Sequence, residues 1–366
     1  MNLILLRYLL KQFMLVFFAT LFVLTAVILL FDVIELLREA SKHDGVTFFD
    51  VGILALLKSP QMIHIILPFV FLISGIIFFL KFSRSSELVV MRAVGLSVWN
   101  FLLPIVLFTF AIGVFDVTVF NPISALTAKQ FERMEERVGL SRAKLFSWSE
   151  EGLWLREIQN GGTLVIRAAR VRQQEQNVLL DKVSVFQIAP DDTFLTQTEA
   201  DLGTLRDGRL TLHRAFLIDP VAETGKASDA VTFQTSMNLE RILEKFDEPR
   251  TMSFWRFPKF IQFLKESGFS ASAHQMYWHE LIAFPVFLIA MILISAVFAL
   301  PPSSRQGKTL VRILGAVLCG FLLYFFSRIT NVLGLSLSLP MVFAAWGPAL
   351  IFIPLCLSAL LHLEDG

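Results

Sequence analysis

The side chains best suited to bind an anionic partner are cations that lie near the ends of long apolar segments. Lysine and arginine hold phosphate through charge-assisted hydrogen bonds, so a cluster of them above an apolar cavity would suit the headgroup of an anionic lipid. Any one of them alone is better explained as a residue whose charge reaches the membrane surface while its stem stays in lipid. The candidates for the cluster are Lys58, Lys129, Arg133, Arg137, Arg142 and Arg328.

A second set of charges lies in the short segment from Lys81 to Ser97, between two apolar segments. It contains the cations Lys81, Arg84 and Arg92 and a single acid, Glu87. Both flanking segments are long enough to cross a membrane, so this segment lies at a membrane face, and its basic excess indicates the cytoplasmic face. A short helix there is well placed to transmit a push from a soluble partner to both spans. An ordinary basic connector is the alternative interpretation.

Other patterns that resemble catalytic or metal-binding sites are incomplete. The sequence Gln306–Thr309 ends like a phosphate-binding loop, but Pro302 stands where that loop requires a glycine. His274 and His279 are five residues apart, which is not the spacing of a zinc-binding helix, and structural roles suit them better. His64 lies inside an apolar segment, where it marks either a polar path or a hydrogen bond to a neighbouring helix. We therefore predict no catalytic residue, metal or cofactor on this chain.

The composition and the spacing of charges place the chain among membrane proteins. Of its 366 residues 55% are hydrophobic and only 17% are charged, which is too apolar for a soluble protein of this length. Uncharged stretches of roughly 20 residues, the length that crosses about 30 Å of hydrocarbon, recur along the chain. They predict six spans at about residues 12–32, 59–80, 98–120, 278–300, 310–328 and 341–361, with a short helix at about 83–97.

The orientation follows from the lysines and arginines of the short loops. Arg7 and Lys11 precede the first span, and the connections after spans 2 and 4 are rich in lysine and arginine with almost no acids. The connection after span 1 mixes acids and bases instead. Because positive loops stay in the cytoplasm, we predict that both termini are cytoplasmic. The first apolar segment is too long for a signal peptide and is interpreted as a retained span.

The middle of the chain, roughly residues 140–250, has a different pattern. Short segments of alternating apolar and polar residues are separated by turn sequences such as Asn160-Gly161-Gly162 and Asp207-Gly208. This pattern is typical of an antiparallel β-sandwich or jelly roll, and the predicted orientation places it outside the cytoplasm. We therefore predict an α-helical membrane protein with three spans (1–139), an inserted periplasmic all-β jelly-roll-like domain (140–250), and a linker helix with three more spans (251–366).

Several of these sequences resemble those of one known family. The segment Ser86–Ser97 is similar to the signature that follows span 2 in the LptF/LptG (YjgP/YjgQ) permease family, and within it Glu87–Met91 is more similar to the G subunit than to the F subunit. That family forms the transmembrane part of the lipopolysaccharide exporter in the inner membrane of Gram-negative bacteria. The resemblance covers the whole chain and includes Ser59-Pro60, Pro122, Gly152–Arg156, the Pro-rich basic loop 301–312 and the closing segment Pro340–Pro348.

The resemblance implies partners and a division of roles. This chain and an LptF-like permease would bind a dimeric LptB-like cytoplasmic ATPase, which would hold ATP and Mg²⁺, so the chain itself would carry no cofactor. An LptC-like bitopic regulator and an LptA-like periplasmic bridge would receive lipopolysaccharide, and no nucleic acid would take part. The segment around Glu87 would be the coupling helix that docks in the ATPase, with neighbouring contacts from Arg84, Leu88, Met91 and Arg92.

The resemblance also bears on the headgroup site. Lys129 and Arg133 fall near the basic positions that the family has at the outer end of span 3. The family's basic residue just after Pro60 is absent here, since Gln61 stands in that place and Lys58 lies two residues before the proline.

Two other functions stay open on the residues alone. An ion-driven lipid or peptide transporter would need an acidic residue within a span or a discontinuous helix with coupling residues. The six predicted spans have no central aspartate or glutamate, which weighs against it. A membrane-anchored scaffold or envelope sensor needs specificity only in the β domain, with spans that can be exchanged for others.

Overall fold

The computed structural model of the protein describes two separate units. The described residues are 3–42, 46–84, 97–138, 146–149, 152–159, 162–174, 177–189, 193–206, 208–219, 224–235, 249–266, 270–300, 309–336 and 338–365. The first unit, which is helical, consists of Met1–Leu140, Arg250–Phe257 and Ser272–Gly366. The second unit consists of Ser141–Pro249 and Pro258–Ala271 and contains the β-sheet.

Six helices of the first unit are long and apolar enough to cross a membrane, which confirms the predicted number. Three of them precede the β-strands in sequence and three follow. In chain order the helices are α1 (Leu3–Ala40), α2 (Phe48–Arg84), α3 (Val98–Phe115), which continues through a π-helical turn (Asp116–Phe120) into α4 (Asn121–Arg137), then the short α5 (Phe257–Glu266), α6 (Ser272–Ala299), α7 (Thr309–Leu335) and α8 (Met341–Asp365).

The first two helices are longer than a bilayer requires. They have 38 and 37 residues, or about 55 Å each at 1.5 Å per residue, whereas the hydrocarbon core is about 30 Å thick. The start of α2 is held by a capping box: the hydroxyl of Thr47 accepts from the N–H of Asp50, whose carboxylate accepts from the N–H of Thr47 at 3.0 Å. Near this end, α1 and α2 pack through Leu36, Ala40, Val51, Leu54 and Ala55.

The π-helical turn Asp116–Phe120 has a cause in the sequence. Pro122 has no backbone N–H, so it cannot donate to the carbonyl of Thr118 four residues earlier, and in an α-helix its ring would clash with that carbonyl. The wider turn avoids the clash, and the N–H of Asn121 donates to the carbonyl of Asp116. Because the turn inserts an extra residue, it rotates the side chains that follow it relative to those of α3.

Phe254 and Trp255, which lie just before α5, form hydrogen bonds to this turn and to the residue that follows it. The indole N–H of Trp255 donates to the carbonyl of Thr118 at 3.0 Å, in place of the missing N–H of Pro122. The side-chain carbonyl of Asn121 accepts a hydrogen bond from the backbone N–H of Phe254 at 2.8 Å. Both contacts lie within the helical unit and satisfy polar groups that the turn leaves open.

Helix α6 lies at the centre of the helical unit and packs against α2, α3, α7 and α8. Its close approach to α2 depends on Gly75, where an added Cβ would lie 2.1 Å from the hydroxyl of Ser295. Its approach to α3 depends on Gly113, where a Cβ would lie 2.7 Å from the Cα of Pro285. Small residues at such crossings allow helix backbones to pack closely in membranes.

The second unit contains a seven-stranded antiparallel sheet in which each strand pairs with its neighbours in sequence. This confirms the predicted insertion of an all-β region between two sets of three spans. The described strands form a meander. The strands are β1 (Phe146–Ser149), β2 (Gly152–Gln159), β3 (Gly162–Gln174), β4 (Asn177–Ile188), β5 (Phe194–Arg206), β6 (Arg209–Asp219) and β7 (Thr224–Gln234).

Irregular residues in the central strands bend this sheet. Lys182 in β4 and Arg214 in β6 have φ values of 49° and 54°, and the pairing skips each of them without a change of register. The register shifts between Gln187 and Ile188 of β4, where this strand pairs with β5, as in a β-bulge. Thr235, just after β7, donates to the buried carboxylate of Glu157 in β2 at 2.6 Å. Since β2 and β7 lie toward opposite ends of the strand order, the sheet curls until its two ends meet.

Candidate lipid-binding site

Three polar pairs link different helices toward the end of the helical unit where α1 ends and α2 begins. In the first, the ammonium group of Lys58 in α2 donates to the carboxylate of Asp32 in α1. The side chain of Asp32 is 7% exposed, and a carboxylate buried to this degree requires a partner. The Lys58 nitrogen also lies 6.0 Å from the ring centroid of Phe131 in α4. Lys58 therefore links α2 to α1 and lies close to α4, and its charge is partly neutralised by Asp32.

The second pair joins α2 to the π-helical turn. Nδ1 of His64 lies 2.5 Å from a carboxylate oxygen of Asp116, the first residue of the turn. The side chain of Asp116 is only 4% exposed. The ring of His64 lies against the ring of Phe284 in α6, with a centroid distance of 4.4 Å. The histidine therefore bonds to a neighbouring helix, one of the two roles predicted for it.

The third pair joins α7 to α6. The guanidinium of Arg328 donates to the carboxylate of Glu280 at 3.0 Å and lies 5.0 Å from the ring centroid of Tyr324, one helical turn earlier. Both charged side chains of the pair are partly exposed. An arginine held between a carboxylate and an aromatic ring keeps a fixed orientation and retains donors for an anion.

The third pair and His64 of the second pair line one cavity. It has a volume of about 40 Å³ and is bounded by residues of α2, α6, α7 and α8. His64, Glu280 and Arg328 contribute to its wall, together with Ser327 and Tyr324. The mixture of an imidazole, a carboxylate, a guanidinium and two hydroxyl groups makes it suitable for water or a small polar group.

The three cations of α4 share one helical face. Lys129, Arg133 and Arg137 follow one another at four-residue intervals along this helix, and the side chains of Arg133 and Arg137 are exposed. The contact between Lys58 and Phe131 brings Lys58 to the same helix. Lys58 and the α4 cations are thus carried by two packed helices, whereas Arg328 lies on the cavity among α2, α6 and α7.

An open apolar groove lies between α1 and α2. Its volume is about 340 Å³, and its lining is almost entirely hydrocarbon. Gly52 contributes to the space because no atom lies within 4 Å of the position that its Cβ would occupy. The groove suits an acyl chain or an apolar side chain. Its lining residues are Ala26, Leu29, Leu30, Val33, Gly52, Ala55 and Leu56.

The remaining predicted site residues are only partly placed. Arg84 ends α2. The other predicted coupling residues and one predicted headgroup residue lie outside the described residues, so their roles stay predictions; these are Glu87, Leu88, Met91, Arg92 and Arg142.

The acidic partners of the three pairs were missed by sequence reasoning. The sequence analysis assigns no site role to Asp32, Asp116 or Glu280, although each of them is paired with a base on another helix. One signal was available for Asp116: it lies inside the predicted span 98–120, six residues before Pro122. An acid within a span calls for a partner, and His64 is a histidine in the middle of another predicted span.

Comparison with known proteins identifies the family. The model of the family described as "Lipopolysaccharide export system permease LptF/LptG" matches residues 7–362. Proteins named "Lipopolysaccharide export system permease protein LptG" from Haemophilus influenzae and from Escherichia coli K12 are both 24% identical over 360 residues. These alignments cover 95% and 94%, respectively, of this chain and of the relative. With six helices able to cross a membrane, the chain therefore belongs to the LptF/LptG family of multi-pass inner-membrane permeases, the membrane component of the lipopolysaccharide export system.

Proposed function

We propose that this chain is the G-type permease subunit that extracts lipopolysaccharide from the inner membrane and passes it to a periplasmic bridge toward the outer membrane. The observation that carries this proposal is the extent of the family match, which includes both sets of three helices and the inserted sheet. The G-type assignment is supported by relatives from two organisms that are named LptG. The F-type relative would be the second permease of the same complex.

The chain takes its energy from a partner. The Lys81–Ser97 segment connects α2 to α3, so a force applied there acts on both helices. A dimeric LptB-like ATPase that holds ATP and Mg²⁺ would dock on this segment around Glu87, and the permease itself would hydrolyse nothing and bind no cofactor. The predicted orientation then places both termini in the cytoplasm.

The lipid would bind at the opposite end of the helical unit. The exposed Arg133 and Arg137 of α4, with Lys129, offer cations to headgroup phosphates, and Arg328 offers a guanidinium beside a polar cavity. The apolar groove between α1 and α2 suits an acyl chain. The β-sheet unit would lie in the periplasm and, with an LptC-like regulator, hand the lipid to an LptA-like bridge.

The coupling role is tested by replacing Glu87. We expect Glu87→Ala, and more strongly Glu87→Lys, to lower the amount of ATPase that co-purifies with the permease pair and to stop export, while the chain still inserts in the membrane. The matched control is Glu35→Ala, which removes an exposed acid from α1. ATPase bound at full stoichiometry with normal export in Glu87→Lys would refute the coupling role.

The headgroup role is tested by reversing two charges on α4. In the complex, Lys129→Glu with Arg133→Glu should lower photo-crosslinking between lipopolysaccharide and the permease, because anionic side chains repel phosphate. The control is Lys259→Glu with Lys265→Glu, which reverses two exposed lysines of α5. Equal crosslinking in both double variants would show that the cations of α4 do not bind the lipid headgroup.

One observation favours a test of the ion-driven alternative as well. Asp116 is buried and paired with a histidine inside the helical unit, which is the kind of group that ion-coupled transporters use. Lipid release from vesicles under a proton gradient, without the ATPase, would support that alternative. Release that needs the ATPase and ignores the gradient supports the permease.

A further inference from the structure

Trp255 combines an exposed ring with an indole N–H that is bonded within the chain. The residue is 63% exposed, yet its N–H donates to the backbone carbonyl of Thr118 at 3.0 Å. Thr118 lies in the π-helical turn, inside the candidate membrane span Phe101–Glu135. On an aqueous surface water can accept this hydrogen bond, whereas a ring in lipid needs a partner in the protein. The bond to Thr118 therefore suits a ring that faces lipid.

Two neighbouring polar groups are bonded within the chain as well. The hydroxyl of Thr118 donates to the carbonyl of Val114 at 2.7 Å, although this contact lies on an exposed part of the helix. The N–H of Phe254 donates to the side-chain carbonyl of Asn121 at 2.8 Å. Because hydrocarbon offers no hydrogen-bond partners, the protein itself has to satisfy the polar groups that hydrocarbon covers. These groups around Trp255 meet that condition.

The outward face of the same span is apolar on both sides of Thr118 along the chain. Four large side chains on it are between 45% and 67% exposed and recur every three or four residues, which is the spacing of one helical face; they are Phe115, Val119, Ile123 and Leu126. This face becomes polar at Gln130 and Arg133, which are exposed. The contact with Thr118 therefore lies on the apolar side of this boundary, near a span end, where tryptophan is enriched.

The residue after Trp255 supplies a charge for a lipid phosphate. Arg256 is exposed, and so is Arg250 at the start of the same segment. An arginine side chain can extend along apolar surroundings and place its guanidinium among headgroups, where it forms charge-assisted hydrogen bonds to phosphate. Two cations suit a headgroup with one phosphate, and the apolar face below them suits acyl chains. This is the chemistry of an anionic phospholipid.

We propose that Trp255 and Arg256, with the adjacent outward face of α3 and α4, form a docking site for an anionic phospholipid of the surrounding bilayer. An acyl chain lies along Val119 and its apolar neighbours, the Trp255 ring packs beside the glycerol, and Arg256 binds the phosphate. Since the ring is bonded to Thr118, the lipid is linked to the π-helical turn. The lipid belongs to the bilayer and is not the exported one, so this inference does not rest on the proposed transport function.

The first test uses tryptophan fluorescence of the full chain in nanodiscs. They contain phosphatidylglycerol whose acyl chains carry bromine, a contact quencher, near the glycerol. The chain has six tryptophans, so Trp255 is measured by difference. The fluorescence lost to bromine should be smaller in Trp255→Phe than in the original chain. The control is Trp154→Phe in β2, which should lose as much as the original chain.

A second measurement keeps the test decisive if Trp255→Phe does not fold. Val119→Cys, in a chain whose two native cysteines are replaced by alanine, carries a fluorescent label at an exposed position. Brominated lipid should quench this label, whereas iodide in the buffer should not. The control is a label on Ala230→Cys, an exposed position of β7, which iodide should quench and brominated lipid should not.

The charge is tested by comparing two brominated lipids at low mole fraction. In the original chain, the mole fraction that half-quenches the Trp255 signal should be about fivefold smaller for phosphatidylglycerol than for phosphatidylcholine, the preference expected from one arginine near a membrane surface. Arg256→Glu should abolish this preference. The control is Lys226→Glu, which reverses an exposed lysine of β7 and should keep it.

Three results would overturn the proposal. The first is an equal loss of fluorescence in the original chain and in Trp255→Phe, or iodide access to the label at position 119, since either would place this face outside the lipid. The second is protection from both quenchers once the second permease is bound, since protein would then cover the face. The third is displacement of the brominated phospholipid by an equal amount of lipopolysaccharide, which would assign the site to the exported lipid. None of these readouts depends on lipid transport.

Discussion

Helices α6 and α1 are almost equally apolar but occupy opposite environments. Their most apolar 18-residue windows have nearly the same mean hydropathy, yet 72% of the α6 window is buried against 17% of the α1 window. α7 resembles α1, with 22% buried. The comparison shows that hydropathy alone identifies a helix that can enter a membrane, whereas close contacts with other helices decide whether it lies at the centre or faces lipid.

The difference also has a functional meaning. The exposed faces of α1 and α7 carry large side chains such as Phe18, Phe22, Leu318 and Phe325. In a membrane these faces contact lipid or a second protein at little cost. α1 and α7 therefore each present an apolar face to the surroundings of this chain, while α6 is packed among the other helices. The following substitutions test this contrast, beginning with the largest expected effect.

Truncating one leucine in each type of helix should give very different results. Leu288 in α6 is fully buried, whereas Leu318 in α7 is 63% exposed. Leu288→Ala should destabilise the chain by about 3 kcal/mol, because it leaves a cavity. Leu318→Ala should change stability by less than about 0.5 kcal/mol. Thermal unfolding in the same detergent measures both, and equal losses would contradict the assignment of α6 as the packed centre.

Adding one methyl group between α2 and α6 should have a slightly smaller effect. At Gly75 a Cβ would lie 2.1 Å from the hydroxyl of Ser295 and 2.8 Å from a methyl group of Ile292. We expect Gly75→Ala to cost about 2 kcal/mol through overpacking. Gly347→Ala is the control, since no atom lies within 4 Å of its Cβ position. If both variants melt at the same temperature, α2 and α6 are not closely packed at Gly75.

Removing a charge that ties α1 to α2 should have the smallest effect. Asp32→Asn leaves Lys58 without a carboxylate but retains an oxygen that can accept a hydrogen bond. We expect a loss of about 1 kcal/mol, since Lys58 is partly exposed and water can solvate it. Glu35→Gln, at an exposed position of α1, is the control and should be neutral. A larger loss than for Leu288→Ala would mean that polar ties, rather than packing, hold the unit together.

The number of spans was predictable because apolar length and charge spacing are local properties. The bilayer requires about 20 uncharged residues, and each predicted span lies wholly or almost wholly within an observed helix. Interhelical pairs are not local. His64 and Asp116 are 52 residues apart, and Glu280 and Arg328 are 48 apart, so the sequence shows the charged groups without showing which of them meet.

The strand β5 has a weak signal in the sequence for a related reason. β5 (Phe194–Arg206) buries Thr198, Ala200, Gly203 and Leu205, of which only two are distinctly apolar. The buried positions also change phase between Ala200 and Gly203, so the two-residue alternation that identifies a strand is interrupted. The strand is defined by pairing with β4 and β6 rather than by its own pattern.

The central claim is that this chain shapes a path for lipopolysaccharide while a separate ATPase supplies the force. It is tested most directly in proteoliposomes loaded with lipopolysaccharide, by measuring lipid transfer to a soluble LptA-like acceptor. The account predicts transfer only when the permease pair, the LptC-like regulator, the ATPase and ATP are all present, and none from this chain alone. ATP-dependent or spontaneous transfer by the isolated chain would contradict it.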